Sequence, residues 1–312
     1  MKQDRKLVVV ELNEINFYLI KKYTAKGYLP NFKKLMNDYS LRYSKTNEVY
    51  SNQEPWINWV TLRTGKNFAK HKVFHLGDFN SESPEQHYET LSKNGYKVAV
   101  ICPMNSVSRA HTEVFIPDPW SDKAYKGSSF FIKKIVDVIQ QSVRQNVSNT
   151  NNIYSYFIML AAVVYFGNLK SFFRQIKHGI GSFKNKWIKA VMLDELLQDI
   201  FLYHFKKNKL NYLSVFLNAG AHIQHHYFFN SIVYDGLNTN PDWYINKQID
   251  PVLYSYESYD KFIGALMQQN RVNKSKVVIA TGLSQEPCEK TIFYWKLKVN
   301  KFLKSININD FT

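Results

Sequence analysis

Three histidines, His222, His225 and His226, crowd into one short stretch directly after an apolar run. On a helix, His222 shares a face with His226 at i,i+4 and with His225 at i,i+3. Neutral imidazoles so spaced hold zinc or a similar ion; a hydrogen-bonded wall is the plainer alternative. A second unusual stretch runs from Glu54 to Gly65, with Trp56 and Trp59 on one helical face beside Glu54 and Asn58. That pair is either packing or a stacking wall for a ring. His71 and His75 follow it. Elsewhere polar residues end apolar runs: Glu11, Asn13, Glu14 and Asn16; Asn105 and Arg109; Ser284, Gln285 and Glu286. No Gly-rich phosphate loop, Gly-x-Ser-x-Gly elbow or kinase signature is present, so nucleotide-cradle and serine-hydrolase chemistry lack support.

Four short apolar runs precede these groups: Leu7–Leu12, Tyr96–Cys102, Leu210–Leu217 and Lys276–Thr281. Helical patterns, not tight turns, separate them, which predicts βαβ crossovers and a parallel sheet. Helices are expected over 15–26, from Pro30, over 56–63 and before Gly95. In such a sheet the site lies beyond the carboxyl ends of the strands, where all the polar loops above would converge. The stretch 121–209 breaks the rhythm. It is helical, basic and aromatic, with helices expected at 130–143, 154–166 and 187–203 and a polar loop at 145–152. Segment 154–166 is nearly all apolar but shorter than the ~20 residues a membrane span needs. A buried helix is one reading and an interfacial membrane contact the other, the latter supported by Lys170, Arg174, Lys177, Lys184 and Lys186. The expected fold is therefore α/β, a mostly parallel sheet with helices on both faces. Its core is 1–120 with 210–312, and 121–209 is a helical insertion.

The chain of 312 residues can bury a sizeable core, and its hydrophobic share of 45% excludes wholesale disorder. A net charge of +16 favours phosphate-bearing partners, although a Lys- and Asn-rich codon bias gives the same charge. No helix-turn-helix, RNP or zinc-finger pattern is present, so no specific nucleic-acid partner is expected. Cys102 and Cys288 are too few for a disulfide framework, and Cys102 reads as core. A charged start running straight into a strand lacks the layout of a signal peptide, which predicts a cytoplasmic protein, with contact at the inner face of the membrane as an extension. The sequons at Asn146 and Asn273 then read as chance matches.

Taken in order, these motifs resemble the type I phosphodiesterases and nucleotide pyrophosphatases of the alkaline phosphatase superfamily. The residues that carry the resemblance are Val8–Glu14 with Gly27–Phe32, Pro55–Gly65 with Lys70–Val73, Asn218–His226, and Val277–Gly282. The resemblance implies two-metal phosphoryl or sulfuryl transfer, in which paired cations polarise the ester and activate a nucleophile. The family's opening metal Asp then falls on Asn13, its nucleophile near Glu54 or Pro55, and its Asp-x-x-x-His on His222 and His226. Its Asp-His pair falls on Thr281-Gly282, and no histidine follows His226. A standard bimetallic centre is not expected.

Two readings follow. In the first, the chain is an atypical hydrolase or transferase acting on an anionic, phosphorylated ester, such as a glycan or lipid-linked intermediate. Glu54 is nucleophile or base and His225 general acid. Glu11, His222 and His226 hold one divalent metal, zinc or manganese, or no metal is held. Asn13, Trp56, Asn58, Asn105 and Gln285 contact the substrate, and a polar set replaces the lost ligands. In the second reading the chain is a pseudoenzyme that binds an anionic sugar or lipid in the remnant pocket.

Overall fold

The computed structural model of the chain describes residues 6–120, 128–144, 153–241, 243–245 and 249–287. Val8, Val10 and Leu12 face one side of strand β1 (Leu7–Leu12) and enter the main core, while Val9 packs on the other side. Both faces are covered, so the run is buried almost end to end. β1 pairs in parallel with β4 (Tyr212–Leu217) and β5 (Lys276–Ala280). β4 pairs with β2 (Val98–Ile101), and β2 with the edge strand β3 (Val114–Ile116). Among the described residues the sheet has five strands in the order β3-β2-β4-β1-β5, all parallel, as the alternating pattern predicts.

The helices begin and end where local chemistry directs. Asn16 caps α1 (Phe17–Ala25) by accepting from the Leu19 amide at 3.0 Å. Pro30 opens α2 (Pro30–Asp38), and Pro55 opens α3 (Pro55–Thr64), which stops at Gly65 with φ 64. Next come the single turn α4 (Phe68–His71) and α5 (His87–Lys93). The long stretch between β3 and β4 forms α6 (Phe130–Arg144), α7 (Ile153–Phe166), α8 (Leu169–Lys184) and α9 (Ile188–Lys207). These helices build no separate core. Ile135, Val163, Leu197 and Phe201 join the same apolar cluster as Val10 and Val215. After β4 come α10 (Ala219–Tyr227) and α11 (Pro251–Asn273). The expected loop at 145–152 and the sequon at Asn146 lie outside the described residues, as does Cys288. Cys102 is buried core, and Asn273 donates its amide to the Phe205 carbonyl at 2.7 Å from a buried position. No helix among the described residues is long and apolar enough to cross a membrane.

α9 carries two buried carboxyls, Asp194 and Asp199, that burial pushes up to about 6. A raised acid pKa means the fold holds the proton more tightly than the unfolded chain does. The contribution is therefore full below the unfolded value and is lost as pH rises through about 6. Asp199→Asn is expected to flatten the decline in urea-unfolding free energy between about pH 4 and pH 6. A difference from wild type that stays constant over that range would contradict this assignment.

Candidate active site

The loop after β1 is stitched to its neighbours by backbone. The Asn13 amide donates to the Leu217 carbonyl and the Glu14 amide to the Thr281 carbonyl, each at 3.0 Å. To do so Glu14 takes φ 51, a left-handed conformation uncommon for its type. Its buried carboxylate then receives Asn13 Nδ2 at 3.3 Å and Gln285 Nε2 at 3.4 Å. His225 Nε2 stands 3.5 Å from the same oxygen, Glu14 Oε2. Gln224, next to His225, donates to the Glu14 carbonyl at 2.8 Å and so locks α10 onto this loop. α10 approaches this loop closely because Gly220 has no Cβ, which would collide with the Ile15 side chain.

The three histidines divide. His225 faces Glu14, whose hydrogen bond raises its pKa; partial burial opposes this, and the charges of Glu14 and Glu54 add to it. His222 and His226 lie together on another face of α10, ring centroids 5.3 Å apart, with Tyr244 Oη 3.1 Å from His226 Nδ1. Burial and their histidine neighbours lower both. Sequence spacing favoured His222 with His226 as ligands, but it is His225 that meets the carboxylate.

Glu11 does not join them. It points under α3, where Arg63 takes both of its oxygens, through Nε at 3.2 Å and through Nη2, with both side chains almost wholly buried. One turn along α3, Trp59 donates Nε1 to Asn13 Oδ1 at 2.7 Å, just past the end of β1. Asn13 Nδ2 also donates to Asn218 Oδ1 at 2.8 Å, so both ends of this buried amide are occupied within the protein. Asn13 therefore positions Glu14, with its amide groups engaged within the protein. At the end of β5, Gly282 has φ 64, and a Cβ there would meet the Trp59 indole at 3.0 Å and Asn58 Oδ1 at 3.2 Å. An indole fills the space at the strand ends.

The remaining candidates sort by what they touch. Asn105 is a buried strut: it donates to the His75 carbonyl at 3.0 Å and accepts from the Gly77 amide at 2.9 Å, with no group left for a substrate. Trp56 commits its N–H to the Phe74 carbonyl at 2.8 Å. Gln285 braces α10 through the Ala221 carbonyl at 3.1 Å as well as holding Glu14. Asn58 is half-buried beside Gly282, and Glu54 precedes α3 with its side chain making no cap. Glu14 is the group that sequence reasoning passed over as a working residue. Its only signal is position, a charged residue wedged between the strand end and apolar Ile15.

Polar loops gather beyond β1, β4 and β5, where a parallel sheet places its site. The family model for type I phosphodiesterase / nucleotide pyrophosphatase matches residues 7–304. The chain belongs to this family. The match places it in the alkaline phosphatase superfamily, whose members act on phosphoesters and are typically dependent on divalent metal. No curated protein and no solved structure matches the chain.

The donor set of this phosphodiesterase relative does not fit a two-cation centre. By the resemblance, the positions expected to carry metal-binding carboxylates and an imidazole fall on Asn13, His222, Thr281 and Gly282, and Trp59 lies against Asn13 and Gly282. Among the described residues no three His, Cys, Asp or Glu side chains gather to hold a cation. The expected set of Glu11, His222 and His226 fails for a specific reason: Glu11 is neutralised by Arg63 beneath the strand.

Proposed function

We propose that the chain cleaves or transfers a phosphoester by acid–base chemistry centred on His225, without the family's paired cations. The observation that carries this reading is the His225–Glu14 contact of 3.5 Å at the carboxyl edge of β1, within the electrostatic reach of Glu54. Glu14 keeps His225 protonated and oriented. The proton on Nδ1, the ring nitrogen that Glu14 does not engage, goes to the leaving alkoxide as the P–O bond breaks. Glu54 takes the proton of the attacking water or alcohol as the new P–O bond forms. Gln285 and Asn13 hold Glu14 still, so the acid is preorganised rather than assembled on binding. The excess positive charge assists capture of an anionic substrate. The aromatic row of Tyr227, Tyr244 and exposed Trp243 beside α10 suits a sugar ring or lipid-linked group on the leaving side.

The test is turnover of bis(4-nitrophenyl) phosphate by the purified chain. Turnover is expected, with Glu54→Gln reduced at least ~100-fold. Turnover unaltered in Glu54→Gln removes that residue from the chemistry. The Trp59 plug favours one second reading, a protein that binds an anionic sugar or lipid without turning it over. Absence of turnover together with saturable binding of a sugar phosphate would select it.

A further inference from the structure

Helix α8 is amphipathic in the wrong sense for a helix in water. Its buried face is polar. Ser171 donates to Asp199 Oδ1 at 2.9 Å, and Gln175 to the Met192 carbonyl at 3.1 Å. His178 lies 3.1 Å from Glu195 and 2.6 Å from Tyr254 Oη. Its outward face is apolar: Leu169, Phe173, Ile180 and Phe183 are 77%, 65%, 69% and 90% exposed, and Ile176 is exposed with them. These residues recur at alternating spacings of four and three, a continuous stripe along the helix. Lys170, Lys177 and Lys184 are exposed and recur every seventh residue along one flank of the stripe.

α7 extends the same surface. Gly167 and Asn168 turn the chain back, Ala162, Val163 and Phe166 face the core, and Tyr156, Phe157, Leu160 and Val164 face outward. Exposed apolar side chains scattered singly need no explanation, but two adjacent helices sharing one apolar face do. With its 14 residues α7 is about 21 Å long, short of the ~30 Å hydrocarbon core, so the pair does not cross a bilayer.

We propose that the α7–α8 hairpin seats the protein on an anionic membrane. α8 lies in the interface plane with its phenylalanines and isoleucines in the acyl boundary and its lysine row reaching lipid phosphates. Charge selects this occupant over a second copy of the chain. Between Asp137 and Asp194 there is no acidic residue, so a symmetric contact through this face would set lysine rows together with nothing to neutralise them. The buried polar network behind α8 fits the same setting, since a helix that meets lipid must satisfy its polar side against protein. The seated end adjoins the candidate active site: Trp187, just beyond α8, packs on Tyr227 of α10 with ring centroids 6.3 Å apart. The proposal stands whether or not the chain turns over a phosphoester.

The experiment is flotation of the full chain with vesicles of phosphatidylcholine alone or mixed with phosphatidylglycerol. Wild type is expected to float with the mixed vesicles. The triple variant Lys170→Gln, Lys177→Gln, Lys184→Gln is expected to weaken that binding about 100-fold. Phe173→Glu with Ile180→Glu is expected to abolish it, with the urea midpoint reporting that the fold is retained. Equal flotation with both vesicle types, or full binding by the lysine variant, overturns the electrostatic half of the proposal. A wild-type dimer that the Phe173→Glu, Ile180→Glu variant converts to monomer, with no vesicle binding, overturns it entirely in favour of a second copy.

Discussion

Arg63→Met is expected to destabilise the protein by about 3–5 kcal/mol, because it leaves Glu11 as a buried carboxylate without a counter-ion. Both side chains of this pair are almost wholly buried, and the guanidinium has a further partner in the Met104 carbonyl at 2.6 Å. Trp59 and Phe216 stand against its other surfaces, with ring centroids 5.6 Å and 5.8 Å away. Burial of both side chains keeps a lone Glu11 out of bulk solvent, so the cost falls on folding itself. Against a typical total of about 5–15 kcal/mol, that loss is a large share of stability. Glu11→Leu together with Arg63→Met is expected to recover much of it, since a buried ion pair often contributes little over an apolar isostere. Urea unfolding of the three variants checks this. A single Arg63→Met variant within about 1 kcal/mol of wild type would show that the pair is solvated in solution.

His225→Ala is expected to lower phosphodiester turnover by about 100- to 10,000-fold, the range for a lost general acid. The decisive measurement is the pH profile, which also separates the acid from a structural histidine. A general acid works only when protonated, so the rate falls as pH rises through its pKa. Hydrogen bonding to Glu14 raises that pKa, against partial burial and with help from the charges of Glu14 and Glu54. Glu14→Gln removes the principal cause, and the alkaline limb is expected to move toward lower pH. His222→Ala and His226→Ala leave the limb in place, because those rings face away from Glu14. A limb unmoved in Glu14→Gln would take His225 out of the acid role.

Much of the scaffold was legible. Period and punctuation located β1, β2, β4 and β5 to within two residues, because each is a short apolar run, buried in the first three and partly exposed in β5. The edge strand β3 was not, since its three residues carry no period to read. α8 escaped notice for a different reason. Its lysines read as a basic tract following α7, although Leu169, Phe173, Ile176, Ile180 and Phe183 recur at helical spacing; what the sequence does not show is that this stripe faces outward. The 23-residue α11 was missed because its sequence mixes Tyr, Ser and Asp with the apolar positions; Tyr256, Tyr259 and Asp260 are buried there by hydrogen bonds.

Read through the family resemblance, residue types give the expectation that Asn13, Thr281 and Gly282 stand where carboxylates and an imidazole would bind paired cations. Asn13, Thr281 and Gly282 are matters of identity and need no coordinates. Which groups replace them is a matter of direction, and only the tertiary structure decided it. Residues on one strand face or one helix face are fixed by period, but whether that face meets a cleft or another helix depends on packing. The i,i+4 pair His222 and His226 shares a face that looks away, while His225, a single step off, meets Glu14. Glu11 lies beneath Arg63, Asn13 is locked by Trp59, and Glu14 is brought to the site by a left-handed turn that no propensity for glutamate predicts.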